Sequence, residues 1–318
     1  MKVNFIGNYA AGYVGEQADE VHLTRELERL GNEVNRIPRD IWKAHCDGES
    51  DPNWKQIENM KADINVICKW HHFNDEKYIT QLKKESHAPV FYWVWDYMYD
   101  QGFPDWHIKM AREADLYLSN EGGLFEFYQV EGVKPYYFPM DVCDGDLPVF
   151  DKEEKIYDVV FPGSYLGQGD RIHYLKEINK EIPVTIFAWN WEEWQKNGFT
   201  AFPAVYGAEF NKMIAQSKIV LGFNVNAHCW GYWSNRVGKV ITAGGLLIQQ
   251  YAPGMESLPV VCFSSPQEAI DHIKRLLPLK EMWKTLINFK FTSRHRMLEL
   301  YEIMLRYLKE GKLWNSLP

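Results

Sequence analysis

Cysteine is sparse in this chain and nowhere paired. The five residues Cys46, Cys68, Cys143, Cys229 and Cys262 are odd in number, lie far apart and include no CxxC. That excludes a disulfide framework and a zinc knuckle, and it fits a reducing, cytoplasmic setting. Long apolar runs are also missing. Nothing approaches the ~18 consecutive apolar residues of a membrane span, and Met1 to Ile6 is too short in apolar residues for a signal peptide. Positive charge is in deficit, with 35 Lys and Arg against 43 Asp and Glu and a net charge of −8. A globally basic nucleic-acid coat is thereby excluded, although a bound phosphate needs only a few well-placed cations. There is no internal repeat or low-complexity tract. No GxGxxG follows the first apolar run: Gly7 to Gly15 is rich in glycine but has the wrong spacing for a dehydrogenase. His71-His72 has no second ligand cluster at sensible spacing, and Asp144-Gly145-Asp146 falls in a polar stretch rather than at the end of a sheet. No metal and no cofactor are expected.

What is present is the balance of a folded protein: 46% hydrophobic and 25% charged residues over 318 positions, with aromatics at 15%. Short apolar runs alternate with helical patterns from end to end, which predicts an α/β protein with mainly parallel sheets. Val3–Ile6, Val34–Ile37, Ile64–Cys68, Val90–Trp95, Leu116–Ser119 and Tyr136–Phe138 read as strands of an N-terminal sheet. After a polar, acidic segment the pattern restarts with Asp158–Phe161, Val184–Phe187, Ile219–Gly222, Leu246–Ile248 and Val260–Phe263. We expect two Rossmann-like domains, 1–148 and 149–318, facing a central cleft. The second includes a terminal amphipathic helix with Met297, Leu300, Tyr301, Met304, Leu305 and Leu308 along one stripe.

Two segments carry phosphate chemistry. Ser234-Asn235-Arg236 reads as a helix start, with Ser234 as cap and Arg236 in the first turn, running to a Gly244-Gly245 break and the apolar run Leu246–Ile248. An Arg at a helix N-terminus can grip a diphosphate in bidentate fashion while backbone N–H groups solvate the other oxygens. The loop Gly163-Ser164-Tyr165-Leu166-Gly167-Gln168-Gly169-Asp170-Arg171 follows a buried strand and brings a second Arg. Either arginine alone would serve equally well in a surface ion pair.

Tyr157 to Ser164 with Arg171 downstream, the Tyr206-Gly207 pair, and Ser234 to Gly245 together resemble the GT-B glycosyltransferases. The spore-maturation CgeB type is the nearer likeness and the T-even phage DNA β-glucosyltransferases the more distant one. The resemblance covers roughly 155–300 and is looser before that. It implies that Gly163, Ser164, Arg171, Ser234, Asn235 and Arg236 hold the donor diphosphate, that Tyr206-Gly207 borders the base, and that Asp96, after an aromatic strand, is the general base of an inverting transfer. Where these families carry a glutamate for the donor ribose, this chain has Lys239, whose ammonium only donates. The donor, a UDP-sugar in the usual case, is therefore left open.

On the acceptor side, Glu16, Asp19 and Glu20 open the first helix and Asp100 follows Asp96. These carboxylates can accept from sugar hydroxyls, although the helix dipole also favours acids in a first turn. The acceptor, whether a modified DNA base, a polysaccharide, a protein or a small molecule, is not fixed by these residues. Lys69, Lys83 and Lys84 are the candidate cations for a DNA acceptor. A non-catalytic two-lobed binding protein and a nucleotide-sugar epimerase of the same architecture remain alternatives.

Overall fold

The computed structural model describes residues 1–9, 19–50, 57–95, 98, 104–139, 143–150, 152–165, 170–280 and 292–311. The chain forms two compact units, Met1–Met140 with Ser293–Pro318, and Asp141–Thr292.

The first unit contains β1 (Lys2–Gly7), α1 (Asp19–Arg29), β2 (Glu33–Pro38), α2 (Arg39–Asp47), β3 (Ile64–Cys68), α3 (Lys77–Ser86), β4 (Val90–Val94), α4 (Asp105–Glu113), β5 (Leu116–Ser119), α5 (Phe125–Val130) and β6 (Pro135–Tyr137). Its six strands are parallel in the order β2-β1-β3-β4-β5-β6. Strands β3, β4 and β5 are buried along their whole length. Helices cover both faces of a parallel sheet, so its strands read as continuous apolar runs rather than alternations.

One polar row crosses this core. Asn35, Asn4 and Asn65 stand level on β2, β1 and β3. Asn35 Nδ2 donates to Asn4 Oδ1 at 3.1 Å, and Asn4 Nδ2 donates to Asn65 Oδ1 at 2.8 Å. Asn65 Nδ2 continues to Ser86 Oγ at 2.8 Å. Each amide satisfies the next, which makes burial of Asn4 and Asn65 tolerable.

The second unit contains β7 (Tyr157–Pro162), α6 (Arg171–Glu181), β8 (Thr185–Ala188), α7 (Trp191–Lys196), β9 (Thr200–Pro203), α8 (Gly207–Ala215), β10 (Ser217–Gly222), α9 (Arg236–Thr242), β11 (Leu247–Gln250), β12 (Val261–Phe263) and α10 (Pro266–Leu276). The strand order is β12-β11-β10-β7-β8-β9, again parallel. Val159 and Phe161 pack on the α6 and α10 side, while Val160 packs on the α8 and α9 side. Helix α10 starts as its sequence Ser265-Pro266-Gln267-Glu268 dictates: Glu268 N–H donates to Ser265 Oγ, and Ser264 N–H donates to Glu268 Oε2 at 2.8 Å.

Two features differ from the sequence expectation. Strand β9 falls in no apolar run, because Thr200–Pro203 lies at a sheet edge with three of its four residues exposed. The terminal helix α11 (Ser293–Glu310) belongs to the first unit, so the division is not 1–148 and 149–318. It packs on α1, with Tyr307 edge-on to Phe91 and the Arg296 guanidinium 5.1 Å from the Phe138 ring centroid. Met297, Leu300, Ile303 and Met304 are buried, whereas Leu305 and Leu308 are exposed. The apolar stripe therefore runs through Ile303 rather than on to the last turn.

The asparagine row yields a prediction. Asn4→Ala leaves Asn65 Oδ1 and the Asn35 amide without their partner, at a cost of ~1–3 kcal/mol. A urea titration should show that loss as a lower midpoint with an unchanged slope.

Candidate functional site

In the second sheet the strand order reverses between β7 and β10, the two central strands. Chains leaving their carboxyl ends turn to opposite sides and open a crevice there. Both arginine segments singled out in the sequence start from these two strands: Gly163 to Tyr165 follow β7 and lead to Arg171 at the start of α6, while the chain after β10 leads to Arg236 at the start of α9.

The two guanidiniums lie against one ring. Arg171 Cζ is 5.7 Å and Arg236 Cζ 5.3 Å from the centroid of Phe161, a fully buried residue of β7. Arg171 is buried, and its Nε has no hydrogen-bond partner. Its Nη1 donates to Ser164 O at 3.3 Å. Arg236 Nη1 donates to Ser234 Oγ at 3.5 Å. Among the described residues neither guanidinium has a carboxylate within ion-pair distance, although exposed lysines such as Lys180, Lys196 and Lys274 do. Burial draws both guanidiniums below their ordinary pKa, and the charge of Arg171 lowers Arg236 further. Two cations gathered in a desolvated crevice, with no carboxylate partner among the described residues, have the chemistry to take up an anion.

A set of neutral side chains holds this arrangement. Trp194 Nε1 donates to Gly163 O at 3.1 Å. The Asn190 amide clamps Tyr165 on both sides, accepting from its N–H at 2.8 Å and donating to its carbonyl at 2.9 Å. A Cβ on Gly163 would stand 2.3 Å from Phe161 Cζ, so only glycine lets the loop pass over that ring. Across the crevice Asn224 is the hub. Its N–H donates to Gln250 Oε1 and its Nδ2 to Gln250 O, while its Oδ1 accepts from Ser234 N–H and Gln249 Nε2, both at 3.1 Å. Ser234, two residues before Arg236, is thus tied to the carboxyl ends of β10 and β11. Asn190, Trp194, Asn224, Gln249 and Gln250 were not among the sequence candidates. The signal for the last three was polar residues directly at the ends of apolar strands.

The other predicted residues are placed as follows. Ser234 lies one residue before the cap position of α9, which Asn235 holds without a side-chain cap bond, and Ser234 Oγ accepts from the amide and the guanidinium of Arg236. Lys239, half-buried, lies one turn along α9 from Arg236. Tyr206 and Gly207 start α8 beyond β9, at the same carboxyl edge of the sheet. Gly207 has φ +55°, in the left-handed region where glycine carries no strain.

Asp19 lies on α1, 3.4 Å from His22 Nε2. Glu20 is buried and accepts from Asn8 N–H at 3.1 Å, and burial raises its carboxyl above the usual range. Lys83 is taken up by Asp115 at 3.1 Å. Glu16, Asp96, Asp100 and the loop residues 166–169 lie outside the described residues. On either side of Asp96 the chain is tied to the end of β5: Asn120 Nδ2 donates to Trp95 O at 2.9 Å, and Met98 N–H donates to Glu121 Oε1 at 2.6 Å. Among the described residues no group of three His, Cys, Asp or Glu side chains could hold a metal ion, and no helix is long and apolar enough to cross a membrane.

A family model described as glycosyl transferase-like matches residues 171–303, a span that begins at Arg171 and includes Arg236. Comparison with curated proteins returns no match. Several solved structures are similar along almost the whole chain. One is a glycosyltransferase involved in avilamycin A biosynthesis, at 14% identity over 99% of each chain with a TM-score of 0.58. Another is T4 phage BGT in complex with its UDP-glucose substrate, at 12% identity over 98% of each chain and a TM-score of 0.58. A third is an α-glucosyltransferase in complex with UDP and a DNA oligomer containing an HMU base, at 10% identity over 98% of this chain and 100% of that one, with a TM-score of 0.62. These likenesses show the fold: two Rossmann-like domains of the GT-B glycosyltransferase class.

Holding two desolvated like charges together costs the folded protein stability. Arg236→Met should leave thermal stability unchanged or higher, because it removes a desolvated like charge. Pyrophosphate should raise the melting temperature of the unsubstituted protein, in the way that a ligand at a hundred times its Kd contributes about 2.7 kcal/mol, and should not do so in Arg236→Met.

Proposed function

We propose that this protein is a glycosyltransferase that moves a sugar from a nucleotide-sugar donor to an acceptor hydroxyl. The observation that carries this reading is the pair Arg171 and Arg236 on the Phe161 ring, at the strand-order reversal of the second sheet and, among the described residues, without a carboxylate partner. Glycosyl transfer from such a donor needs cations where the diphosphate departs, since negative charge grows on its bridging oxygen as the sugar leaves. Arg171 and Arg236 supply them, with Gly163, Ser164, Ser234 and Asn235 alongside. Tyr206 and Gly207, further along the same sheet edge, border the base. The chemistry as read here uses no metal, because the two guanidiniums carry the neutralising charge.

Asp96 takes the proton of the attacking hydroxyl, and one carboxylate suffices for direct displacement with inversion. Its support is its place directly after β4 and Trp95, in a stretch whose flanks Asn120 and Glu121 hold. Glu16, Asp19 and Asp100 are the acceptor-side carboxylates. The donor is a UDP-sugar, in keeping with the UDP-glucose and UDP bound in two of the similar structures. Lys239, one turn beyond Arg236, adds a third cation for phosphate rather than an acceptor for ribose hydroxyls. The sequence resemblance favours the CgeB type within this class.

Two measurements test the reading. Asp96→Asn should lower transfer by at least ~100-fold with little change in donor affinity, and full activity in that variant would remove the base assignment. Lys239→Glu should weaken binding of the bare nucleoside diphosphate, because it reverses a charge one helical turn from Arg236.

A further inference from the structure

The first sheet has its own strand-order reversal, between β1 and β3, where Arg39, Lys69, His71 and His72 gather near the buried Glu20 carboxyl that accepts from Asn8 N–H. Ile6 of β1 stands level with Ile37 of β2 and Ile67 of β3. Two residues later Asn8, Arg39 and Lys69 therefore leave the sheet side by side. Arg39, from the end of β2, reaches over the end of β1, and its Cζ lies 4.9 Å from the ring centroid of Trp70, which follows β3. Beyond Trp70 the exposed rings of His71 and His72 stand 3.8 Å apart, and His72 is edge-on to Trp70 at 4.6 Å. Phe73 is buried beneath and fixes Trp70 edge-on at 5.3 Å. Lys69 N–H is held by Trp93 O at 2.9 Å.

The charges in this cluster face one another. His71 titrates below its ordinary value because of burial first, and then because His72, Lys69 and Arg39 are close. Among the described residues no carboxylate comes within ion-pair distance of Arg39, His71 or His72. Among the described residues Glu20 is a carboxylate whose field reaches Arg39, and burial raises its carboxyl above the usual range. A cation laid on an aromatic face and backed by further nitrogen donors presents a convergent donor set to an anion.

We propose that the carboxyl edge of the first sheet, with Arg39, Lys69, His71 and His72 around Trp70, is a second anion site that binds a phosphate ester, distinct from the guanidinium pair of the second unit. Resting on the transferase reading above, that ligand is the acceptor, so the acceptor carries a phosphate as well as the hydroxyl that attacks. The bound phosphate fixes the acceptor's orientation, and a neutral sugar lacks the charge this cluster selects. A sugar phosphate and a nucleotide share this chemistry.

The experiment is calorimetric titration of the full chain with glucose 6-phosphate and thymidine 5′-monophosphate, each against its dephosphorylated parent. The proteins compared are the unsubstituted chain, Arg39→Gln/Lys69→Gln and Arg236→Gln. We expect one of the two esters to bind and its parent not to, which identifies the source of the phosphate. Arg39→Gln/Lys69→Gln should weaken that ester by about tenfold or more, while Arg236→Gln should leave it within about twofold. UDP should show the converse dependence, and Arg39→Lys/Lys69→Arg, which keeps both charges, should retain most of the ester affinity. The proposal is overturned if neither ester binds, if the double glutamine variant binds it as tightly as the unsubstituted chain, or if only Arg236→Gln weakens it. Ester binding that depends on Arg39 in a protein without transfer activity would keep the site and remove the transferase reading, so the two fail separately.

Discussion

Two guanidiniums on one buried phenyl ring set the terms for the second half of this molecule. Bringing Arg171 and Arg236 together costs desolvation and mutual repulsion, and nothing in the described structure offsets the cost with a negative charge. Such an arrangement persists only where the surroundings over-determine it. Gly163 has no side chain because Phe161 fills that space, and Trp194 and Asn190 hold the loop that follows. Asn224 spends its N–H, its amide N–H and its carbonyl oxygen on fixing the approach to Arg236.

Each sheet presents chemistry at the place where its strand order reverses. In the second unit this edge carries a pair of guanidiniums, Arg171 buried and Arg236 half-buried, which under the proposed function hold a diphosphate. In the first it carries a more open cluster, with Arg39 laid on Trp70 and two exposed imidazoles, suited to recognising a ligand rather than to neutralising a leaving group. The Asn35, Asn4 and Asn65 row fastens the three strands β2, β1 and β3 whose ends form that cluster.

Much of the fold was legible in the sequence because buried parallel strands leave continuous apolar runs such as Ile64–Cys68 and Val90–Val94. Strand β9 was not, since an edge strand with exposed Phe202 and Pro203 leaves no such run. The membership of α11 depended on packing against α1, a contact hundreds of residues distant that no local pattern encodes. At the site, Arg171 and Arg236 were legible through their flanking turns, and the structure brings both to the same ring. Ser234 was read as the cap of α9; the helix starts one residue later, with Asn235 in the cap position, while Ser234 Oγ still accepts from the Arg236 N–H two residues on. The amide hub at Asn224 was hidden for another reason: its partners Gln249 and Gln250 are distant in sequence and adjacent only across β10 and β11. Asp96, Asp100 and Glu16 lie outside the described residues, so their roles rest on the sequence and on the flanks of Asp96.

The central claim is that the Arg171 and Arg236 pair exists to hold a diphosphate. Calorimetric titration with uridine, UMP and UDP tests it most directly, because the three differ only in phosphate. The account predicts that affinity rises by at least about tenfold from UMP to UDP, and that this increment disappears in Arg171→Met/Arg236→Met. Equal affinity for all three, or an increment that survives loss of both guanidiniums, would contradict it.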